Sequence, residues 1–326
     1  MRSTGLLALE LWGLGDVLLA LPFLRAAAKA HGVTLLAKPA FAPVLERFAP
    51  DVEMLPFVAP WTAFSGKYRL HEWPWGSIAR CLTALRRRDF SVAVSARCDP
   101  RDHLLMWLSG SPRRVGFPRL GSETLLTDPL LPPPRGHRYL FWQAAARALG
   151  LKLDSREELE LSEAAADGPI VIHTGAAQPI RVWPLDRYLK LAERLREGGH
   201  QVRVLCDPAQ RAFFERQGAA TSAPESLEAL IGQLSGSRAF IGNDSGPGHL
   251  AASLGVPTFT IFGPQLAERF TPLHPRAAWI EGKPCPHRPC SDSCRYPRPH
   301  CILGIPESEV RSRVGQFLKH AEGAST

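Results

Sequence analysis

Short runs of apolar residues alternate with amphipathic stretches along the whole chain. In the first half this pattern predicts a helix over about 17–31 and strands at 6–11, 33–37, 90–95 and 114–117. In the second half it predicts helices over about 185–197, 208–216 and 227–234, and strands at 170–173, 201–206, 239–242 and 257–262. Strands that alternate with helices indicate parallel sheets covered by helices, the α/β fold class.

The repetition of this pattern predicts two domains. A first domain is expected over 1–155, an acidic, Ala-rich linker over 156–168, and a second domain over 169–306. A last helix within 307–326 could pack back across the cleft between the domains. Ligands of such folds lie at the carboxyl ends of the strands, so candidate residues are sought there.

The segment 239–264, AFIGNDSGPGHLAASLGVPTFTIFGP, predicts a strand, a polar loop, a short helix and a second strand. Asn243, Asp244, Ser245 and Gly246 form the loop and are expected to expose polar groups, and Pro247 is suited to the start of the helix. A helix N-terminus that follows a parallel strand binds phosphate, because its unpaired N–H groups and its dipole both attract an anion. The sequence therefore predicts a phosphate or diphosphate site; a plain turn is the alternative.

A second strand-to-helix loop lies in 171–184, VIHTGAAQPIRVWP. Thr174 and Gly175 offer a hydroxyl and a backbone donor, and Arg181 offers a cationic fork for phosphate. An ordinary surface arginine is the alternative for Arg181.

In the segment 10–17, ELWGLGDV, Asp16 is expected just after a strand and immediately before a helix. A carboxylate there can serve as a general base, and a helix-capping aspartate is the alternative. Leu18 occupies the third position of the dinucleotide-binding glycine pattern, so a nicotinamide cofactor is not expected.

Charge distinguishes the two halves. Residues 1–155 contain 20 Lys and Arg against 12 Asp and Glu, whereas residues 156–326 contain 19 of each, so the first half carries the whole net charge of +8. This asymmetry predicts an anionic partner, such as acidic lipid headgroups or a phosphorylated glycan, although an arginine-rich composition alone would produce it too. No nucleic-acid-binding motif accompanies it, and nucleic acid is not an expected partner.

Apolar residues make up 45% of the chain, which indicates a globular protein. No apolar run approaches the roughly 20 residues of a membrane-spanning helix. Glu10 and Asp16 interrupt the leucine-rich N-terminus, so it is interpreted as folded core rather than a signal peptide. A cytoplasmic protein is therefore expected.

Two segments do not follow the α/β pattern. Residues 61–75, WTAFSGKYRLHEWPW, mix aromatic and basic side chains, which indicates a sugar-binding or membrane-surface loop, or rings that pack beneath the loop. Near the C-terminus, four thiols within 17 residues favour a structural zinc or iron site, with free thiols or disulfides as alternatives. These thiols are Cys285, Cys290, Cys294 and Cys301.

Three of these segments together resemble the ADP-heptose:lipopolysaccharide heptosyltransferase family, glycosyltransferase family 9. They are LGDVLLALPFLRA at 14–26, HTGAAQPIRVWPLDRY at 173–188 and NDSGPGHLAASLGVP at 243–257. RVGF at 114–117 and the Cys-rich segment 285–301 also fit the family, so the resemblance covers nearly the full chain.

The resemblance implies a GT-B fold, two Rossmann-like parallel-sheet domains facing across a cleft. The first would bind the acceptor and the second the nucleotide sugar, in an inverting reaction that requires no catalytic cofactor. Asp16 matches the proposed catalytic base of the family, and Arg181 stands where the family usually has Lys, opposite the leaving diphosphate.

The resemblance also implies a set of nucleotide-binding residues: Thr174, Gly175, Asp244, Ser245, Gly246 and His249. For His249 the alternative is a histidine bonded within the fold. An acidic residue that helps to bind the ribose is replaced near Gln210, which we include in the set, and Asp207 could stand in for it.

The predicted function is transfer of a heptose from ADP-heptose to an anionic lipopolysaccharide inner-core acceptor, a glycolipid, with peripheral contact at the cytoplasmic face of the inner membrane. One alternative is a transferase of the same family that uses another nucleotide sugar or a protein or surface-glycan acceptor. The other is a non-catalytic glycan- or nucleotide-binding relative, against which the intact Asp16, Arg181 and Asp244 argue.

Overall fold

The structure is a computed structural model that describes residues 5–63, 66–134, 136–155, 158–159, 164–290 and 293–322. The chain divides into two compact units, Met1–Asp154 and Ser155–Thr326. Residues 156–157 and 160–163 of the predicted linker lie outside the described residues.

The described residues of the first unit form a six-stranded parallel sheet in the order β3-β2-β1-β4-β5-β6. Its elements follow one another along the chain as β1 (Gly5–Leu9), α1 (Leu14–Ala28), β2 (Gly32–Ala37), α2 (Ala42–Phe48), β3 (Val52–Pro56), α3 (Trp75–Arg86), β4 (Phe90–Ser95), α4 (Pro100–Leu108), β5 (Arg113–Gly116), β6 (Asp128–Pro129) and α5 (Tyr139–Ala148).

The described residues of the second unit form a five-stranded parallel sheet in the order β11-β10-β9-β7-β8. Its elements are β7 (Ile170–His173), α6 (Leu185–Glu197), β8 (Val202–Leu205), α7 (Arg211–Arg216), α8 (Leu227–Leu234), β9 (Ala239–Asn243), α9 (Gly246–Ser253), β10 (Thr258–Phe262), α10 (Ala267–Phe270), β11 (Ala278–Glu281), α11 (His300–Leu303) and α12 (Glu307–Glu322).

Both sheets are apolar on both faces, because helices cover each side. In the first unit α1 packs against α5, with the rings of Phe23 and Trp142 4.8 Å apart, while α3 and α4 cover the opposite apolar cluster. In the second unit Val310, Val314 and Phe317 of α12 belong to the same buried cluster as the central strands. The C-terminal helix thus packs in the core of the second unit.

Each sheet has a point at which the strand order reverses. In the first sheet β1 has β2 on one side and β4 on the other, and in the second sheet β7 lies between β8 and β9. Chains leaving two such neighbours turn to opposite faces, which opens a crevice at their carboxyl ends where ligands bind. The helices of the described residues are all too short or too polar to cross a membrane.

The structure shifts several predicted boundaries. Helix α1 begins at Leu14 rather than near 17, so Asp16 lies inside its first turn and not before the helix. The predicted helix over 208–216 is a 3₁₀ turn, Pro208–Gln210, followed by α7, and the strands β3, β6 and β11 were not predicted. All three missed strands are edge strands, and pairing with one neighbouring strand compensates for their weak sequence pattern.

Candidate active site

Asp16 lies just beyond the carboxyl end of β1, in the first turn of α1. Its Oδ2 accepts a hydrogen bond from the backbone N–H of Gly13 at 3.2 Å, so the side chain caps the helix. Its Oδ1 lies 2.5 Å from Nη2 of Arg97. Capping fixes the carboxylate in one rotamer at the edge of the sheet, which is compatible with its predicted role as a base.

Arg97 joins two carboxyl groups at the reversal point of the first sheet. It follows β4, the neighbour of β1, and its Nε lies 3.5 Å from Oε1 of Glu10. Its guanidinium also lies 5.1 Å from the ring centroid of Trp12. Burial acts to lower the pKa of Arg97, but the neighbouring carboxyls, with Asp16 the strongest, raise it above its ordinary value.

Two carboxyl groups of this cluster are fully buried. Burial, opposed by Arg97 and reinforced by Asp16, raises the pKa of Glu10 to about 7. Burial, reinforced by Asp99 and Glu10, raises the pKa of Asp102 to about 8, although Ser95 donates a hydrogen bond to its Oδ2 at 3.3 Å. Burial therefore favours the protonated, uncharged forms of these two carboxyl groups.

Two further cations surround the cluster. Burial, followed by the positive charge of Arg97, lowers the pKa of Arg138 to about 10, and its Nη2 donates to the carbonyl of Ala96 at 2.9 Å. Burial lowers the pKa of Lys38, and Asp16 and Glu10 act against that effect. This edge of the first unit therefore combines a held carboxylate with several cationic groups, which suits an anionic ligand that carries a hydroxyl.

In the second unit, Arg181 and Asp244 form an ion pair at the reversal point of the sheet, with Nη1 3.1 Å from Oδ2. Asp244 follows β9, and Arg181 belongs to a 3₁₀ turn, Pro179–Arg181, that follows β7. The Nε of Arg181 is buried and has no hydrogen-bond partner among the described residues. The guanidinium is thus held by one carboxylate while another of its donors is available.

The predicted phosphate loop lies where the sequence pattern put it. Ser245 is the N-cap of α9, and its Oγ donates to the carbonyl of Asn243 at 3.3 Å. Gly246 is the first residue of the helix, and His249 is buried within it. The first turn of a helix leaves N–H groups without intrahelical partners, so this end of α9 can bind an anion.

Thr174, Gln210 and Asp207 connect the ends of β7 and β8. Thr174 donates from Oγ1 to Oε1 of Gln210 at 2.7 Å, and that oxygen also accepts from the backbone N–H of Asp207 at 3.1 Å. A side chain at Gly175 would meet the Asp207 carboxyl at 2.2 Å, so glycine is required there. Gln210 therefore supports the loop, while Asp207 keeps a carboxylate that is 40% exposed.

Asn243, predicted in the exposed loop, is instead the buried last residue of β9 and braces the neighbouring loops. Its Nδ2 donates to the carbonyls of Thr174 and Gly175 at 2.9 and 3.2 Å. Its Oδ1 accepts from the backbone N–H of Trp183 at 3.0 Å and from the hydroxyl of Tyr188 at 2.8 Å. An asparagine at the last position of an apolar strand was the available signal, because a buried amide needs several partners.

Glu10 and Arg97 were likewise not predicted as site residues. Glu10 was recognisable as a carboxyl at the end of an apolar strand. Arg97 had no local signal, because its partners are more than 80 positions away along the chain and are brought near by the pairing of β1 with β4.

The aromatic segment 61–75, one of the two segments that do not follow the α/β pattern, is partly buried. Trp61 and Trp73 pack in the core of the first unit, whereas Tyr68 and Trp75 are exposed, and Phe64 and Ser65 lie outside the described residues. Packing beneath the loop is therefore correct for only part of the aromatic segment.

All seven cysteines are free thiols, which excludes the disulfide alternative in this structure. Cys290 and Cys294 donate to the carbonyls of His287 and Arg298 at 3.3 and 3.8 Å. Nowhere among the described residues do three or more His, Cys, Asp or Glu side chains come together as a metal site requires. The predicted zinc or iron site at the four C-terminal cysteines gains no support.

Comparisons with known proteins agree with this geometry. The family profile described as Glycosyltransferase family 9 (heptosyltransferase) matches residues 142–298. Lipopolysaccharide heptosyltransferase 1 of Pseudomonas aeruginosa is 34% identical over 150 residues, which cover 43% of this chain and 41% of the relative. The match thus spans less than half the length of this relative.

Solved structures match over almost the full chain. The ADP-heptose lps heptosyltransferase II of Escherichia coli has a TM-score of 0.72 and 19% identity, covering 98% of this chain and 99% of that one. The Escherichia coli heptosyltransferase WaaC with ADP has a TM-score of 0.74 and 17% identity, covering 98% and 100%. These matches confirm the predicted fold class, a GT-B fold of two Rossmann-like parallel-sheet domains. The family profile and the Pseudomonas aeruginosa relative support the predicted resemblance to glycosyltransferase family 9, the heptosyltransferase family.

Proposed function

We propose that this protein transfers a heptose from ADP-heptose to an anionic inner-core acceptor of lipopolysaccharide. The observation that carries the proposal is the Arg181–Asp244 pair beside the N-terminus of α9. A held guanidinium and unpaired helix N–H groups at the reversal point of a parallel sheet suit a diphosphate. ADP bound to WaaC, a structural match, supports the choice of nucleotide.

Asp16 is the general base of the proposed reaction. It accepts the proton of an acceptor hydroxyl while the hydroxyl oxygen bonds to the anomeric carbon of the heptose, and the bond from that carbon to the diphosphate breaks. Arg97 holds one oxygen of Asp16 in place. An attack of this kind, opposite the leaving group, inverts the anomeric configuration.

Arg181 offsets the charge that develops on the departing diphosphate, as the cationic clamps of other transferases do. Asp244 orients Arg181 and leaves its Nε donor for a phosphate oxygen. Because Arg181 supplies this charge, no step is assigned to a metal ion. The proposal places the enzyme in the cytoplasm, next to a lipid-anchored acceptor at the inner membrane.

A transferase of the same family with another nucleotide sugar is the second candidate. It is favoured by Gln210, which stands in place of an acidic residue and has its oxygen engaged by Thr174 and Asp207. The exposed carboxylate of Asp207 is then the group available to accept hydrogen bonds from ribose hydroxyls. The position of the Asp207 carboxylate would decide which nucleotide base and ribose fit the site.

Calorimetry with ADP-heptose, UDP-sugars and GDP-sugars separates these candidates, followed by turnover on heptose-deficient core lipid. We expect binding of ADP-heptose and turnover with it. Binding of UDP- or GDP-sugars instead would favour the second candidate. Binding without turnover would indicate a non-catalytic relative, and failure to bind any nucleotide diphosphate would reject the transferase function.

Asp16→Asn should lower turnover by about 100-fold or more while the donor Kd changes no more than a few-fold, because a base acts mainly in the transition state. Asp51→Asn, at an exposed aspartate of the same unit, is the matched control and should leave both quantities unchanged. Loss of donor binding in Asp16→Asn would show that Asp16 has only a structural role.

A further inference from the structure

The outer surface of α3 and α4 exposes an unusual number of apolar side chains. Of the ten large apolar side chains that are exposed among the described residues, eight lie in the first unit. Five of them belong to α4 or to the segment that leads into α3, and we call this surface the α3–α4 face. These five are Tyr68, Leu70, Trp75, Leu104 and Trp107.

The same surface is strongly cationic. From Trp75 to Arg88 the chain contains four arginines and no acidic residue. Arg80, Arg86 and Arg87 are exposed on α3 or directly after it. An exposed face of arginines and aromatic rings does not suit a solvated surface, since isolated exposed apolar residues are common but clustered ones mark a binding site.

Contacts connect the two helices into one surface. Nε of Arg86 donates to the carbonyl of Leu108 at 2.9 Å, which joins the C-terminal ends of α3 and α4. At the other end, the Arg101 guanidinium of α4 lies 5.8 Å from the ring centroid of Trp61, and the rings of Trp61 and Trp73 are 5.7 Å apart. The Trp73 and Trp75 rings, 5.6 Å apart, complete the connection to the start of α3.

A cavity of about 620 Å³ opens at the C-terminal ends of the two helices. Arg86, Arg88, Asp89, Ser109 and the half-exposed Trp107 are among its lining residues. Nη2 of Arg88 pairs with Oε1 of Glu53 at 2.6 Å, which leaves Arg86 as the lining arginine without a carboxylate partner among the ion pairs of the described residues. Guanidinium and hydroxyl donors next to an indole ring suit a phosphate group attached to an apolar chain. The opposite end of the α3–α4 face lies at the carboxyl edge of the sheet, the edge that holds Asp16.

We propose that the α3–α4 face binds the surface of an anionic lipid bilayer, with a lipid phosphate in the cavity lined by Arg86, Arg88 and Trp107. Charge decides between occupants: from Trp75 to Asp89 the chain carries four arginines against one aspartate, an excess that attracts anionic headgroups, while a second copy of this face would bring like charges together. Indole and phenol rings are enriched at the boundary between headgroups and acyl chains. The face lies on the membrane and does not enter its core.

Co-sedimentation with vesicles tests this proposal without donor or acceptor, so its outcome is independent of the proposed function. We expect the protein to bind vesicles of phosphatidylcholine mixed with phosphatidylglycerol and not vesicles of phosphatidylcholine alone. Arg80→Gln with Arg87→Gln should weaken binding about 30-fold, because each arginine near an anionic surface contributes about a factor of five. Trp107→Ser should weaken it about tenfold through lost apolar burial.

Matched changes in the second unit serve as controls. Arg216→Gln with Arg313→Gln removes two exposed arginines there, and Trp279→Ser removes an exposed indole. Both controls should bind vesicles as the unchanged protein does, and thermal unfolding checks that every variant is folded.

Four outcomes would overturn the proposal. The unchanged protein could fail to bind anionic vesicles, or the face variants could bind as well as the controls. Sedimentation could also reveal a dimer that the face variants dissociate, which would assign the surface to a second copy of the chain. Binding of nucleic acid in preference to vesicles would likewise reject the lipid partner.

Discussion

At the scale of single residues, the first site is governed by the burial of its carboxyl groups. Glu10, Asp16 and Asp102 all interact with Arg97, and the first and last of them are fully buried. Burial raises the pKa values of Glu10 and Asp102 into or above the neutral range. Two neighbouring carboxyl groups that hold protons leave Asp16 as the carboxylate that Arg97 contacts at short range.

The raised pKa of Glu10 makes the free energy of unfolding depend on pH. Its pKa is about 7 in the folded protein against 4.5 as the ordinary value, so between these limits the folded state binds more protons. The contribution of Glu10 to stability is therefore fully present below about pH 4.5 and is lost as the pH rises to about 7, by about 3 kcal/mol in the limit of full linkage. Glu10→Gln should remove this contribution and flatten the profile.

Urea unfolding at several pH values from about 5 to about 8 gives the free energy of unfolding as a function of pH. The effect is a difference in the slope of that curve between the variant and the unchanged protein, and it does not depend on the overall stability of the variant. Asp102 contributes a falling slope of its own that Glu10→Gln retains, since its pKa is raised to about 8. Glu193→Gln, at an exposed position of α6, should leave the slope of the unchanged protein intact. If the free energy of unfolding had the same slope against pH in Glu10→Gln and in the unchanged protein, the raised pKa assigned to Glu10 would be contradicted.

At the scale of elements, Asn243 connects the end of β9 to the loop after β7 and to α6. One amide satisfies two carbonyls, one backbone N–H and the Tyr188 hydroxyl. This brace fixes the distance between the two loops that carry Arg181 and Asp244. The diphosphate site proposed above therefore depends on a residue that need not touch the ligand.

Asn243→Ala should lower the free energy of unfolding by on the order of 3 kcal/mol, because three groups lose the amide as a partner while the Thr174 carbonyl keeps the hydrogen bond from Gln210. Tyr188→Phe removes one of the same hydrogen bonds and should cost about 1 kcal/mol. Chemical denaturation of both variants measures the two losses of unfolding free energy and checks their ratio. Equal losses would mean that water or a neighbouring group replaces the amide.

The elements also show what the sequence could and could not predict. The apolar strands β1, β7 and β10 and the loop before α9 were predicted, because strand runs, Pro247 and the glycines act locally. The partners of these elements were not predictable in the same way. Arg97 meets Glu10 only through the pairing of β4 with β1. The bond of Gln210 to Thr174 likewise depends on the pairing of β7 with β8.

At the scale of the whole molecule, charge is divided between the units. Residues 1–154 carry 20 Lys and Arg against 12 Asp and Glu, and the remaining residues carry equal numbers of each. A diffuse positive field attracts an anionic acceptor over long distances, whereas the Arg181 contact proposed for the donor acts at short range in a partly buried site. The two substrates should therefore respond differently to salt.

Raising the ionic strength from about 0.01 M to about 0.15 M shortens the screening length from about 30 Å to about 8 Å. We expect the acceptor KM to rise about tenfold over this range, while the donor KM changes less than about twofold, because close and partly buried charge pairs are screened little. Initial rates measured with a core oligosaccharide that lacks its lipid separate this effect from membrane binding. A donor KM that responds more steeply than the acceptor KM would place the anionic acceptor away from the basic first unit.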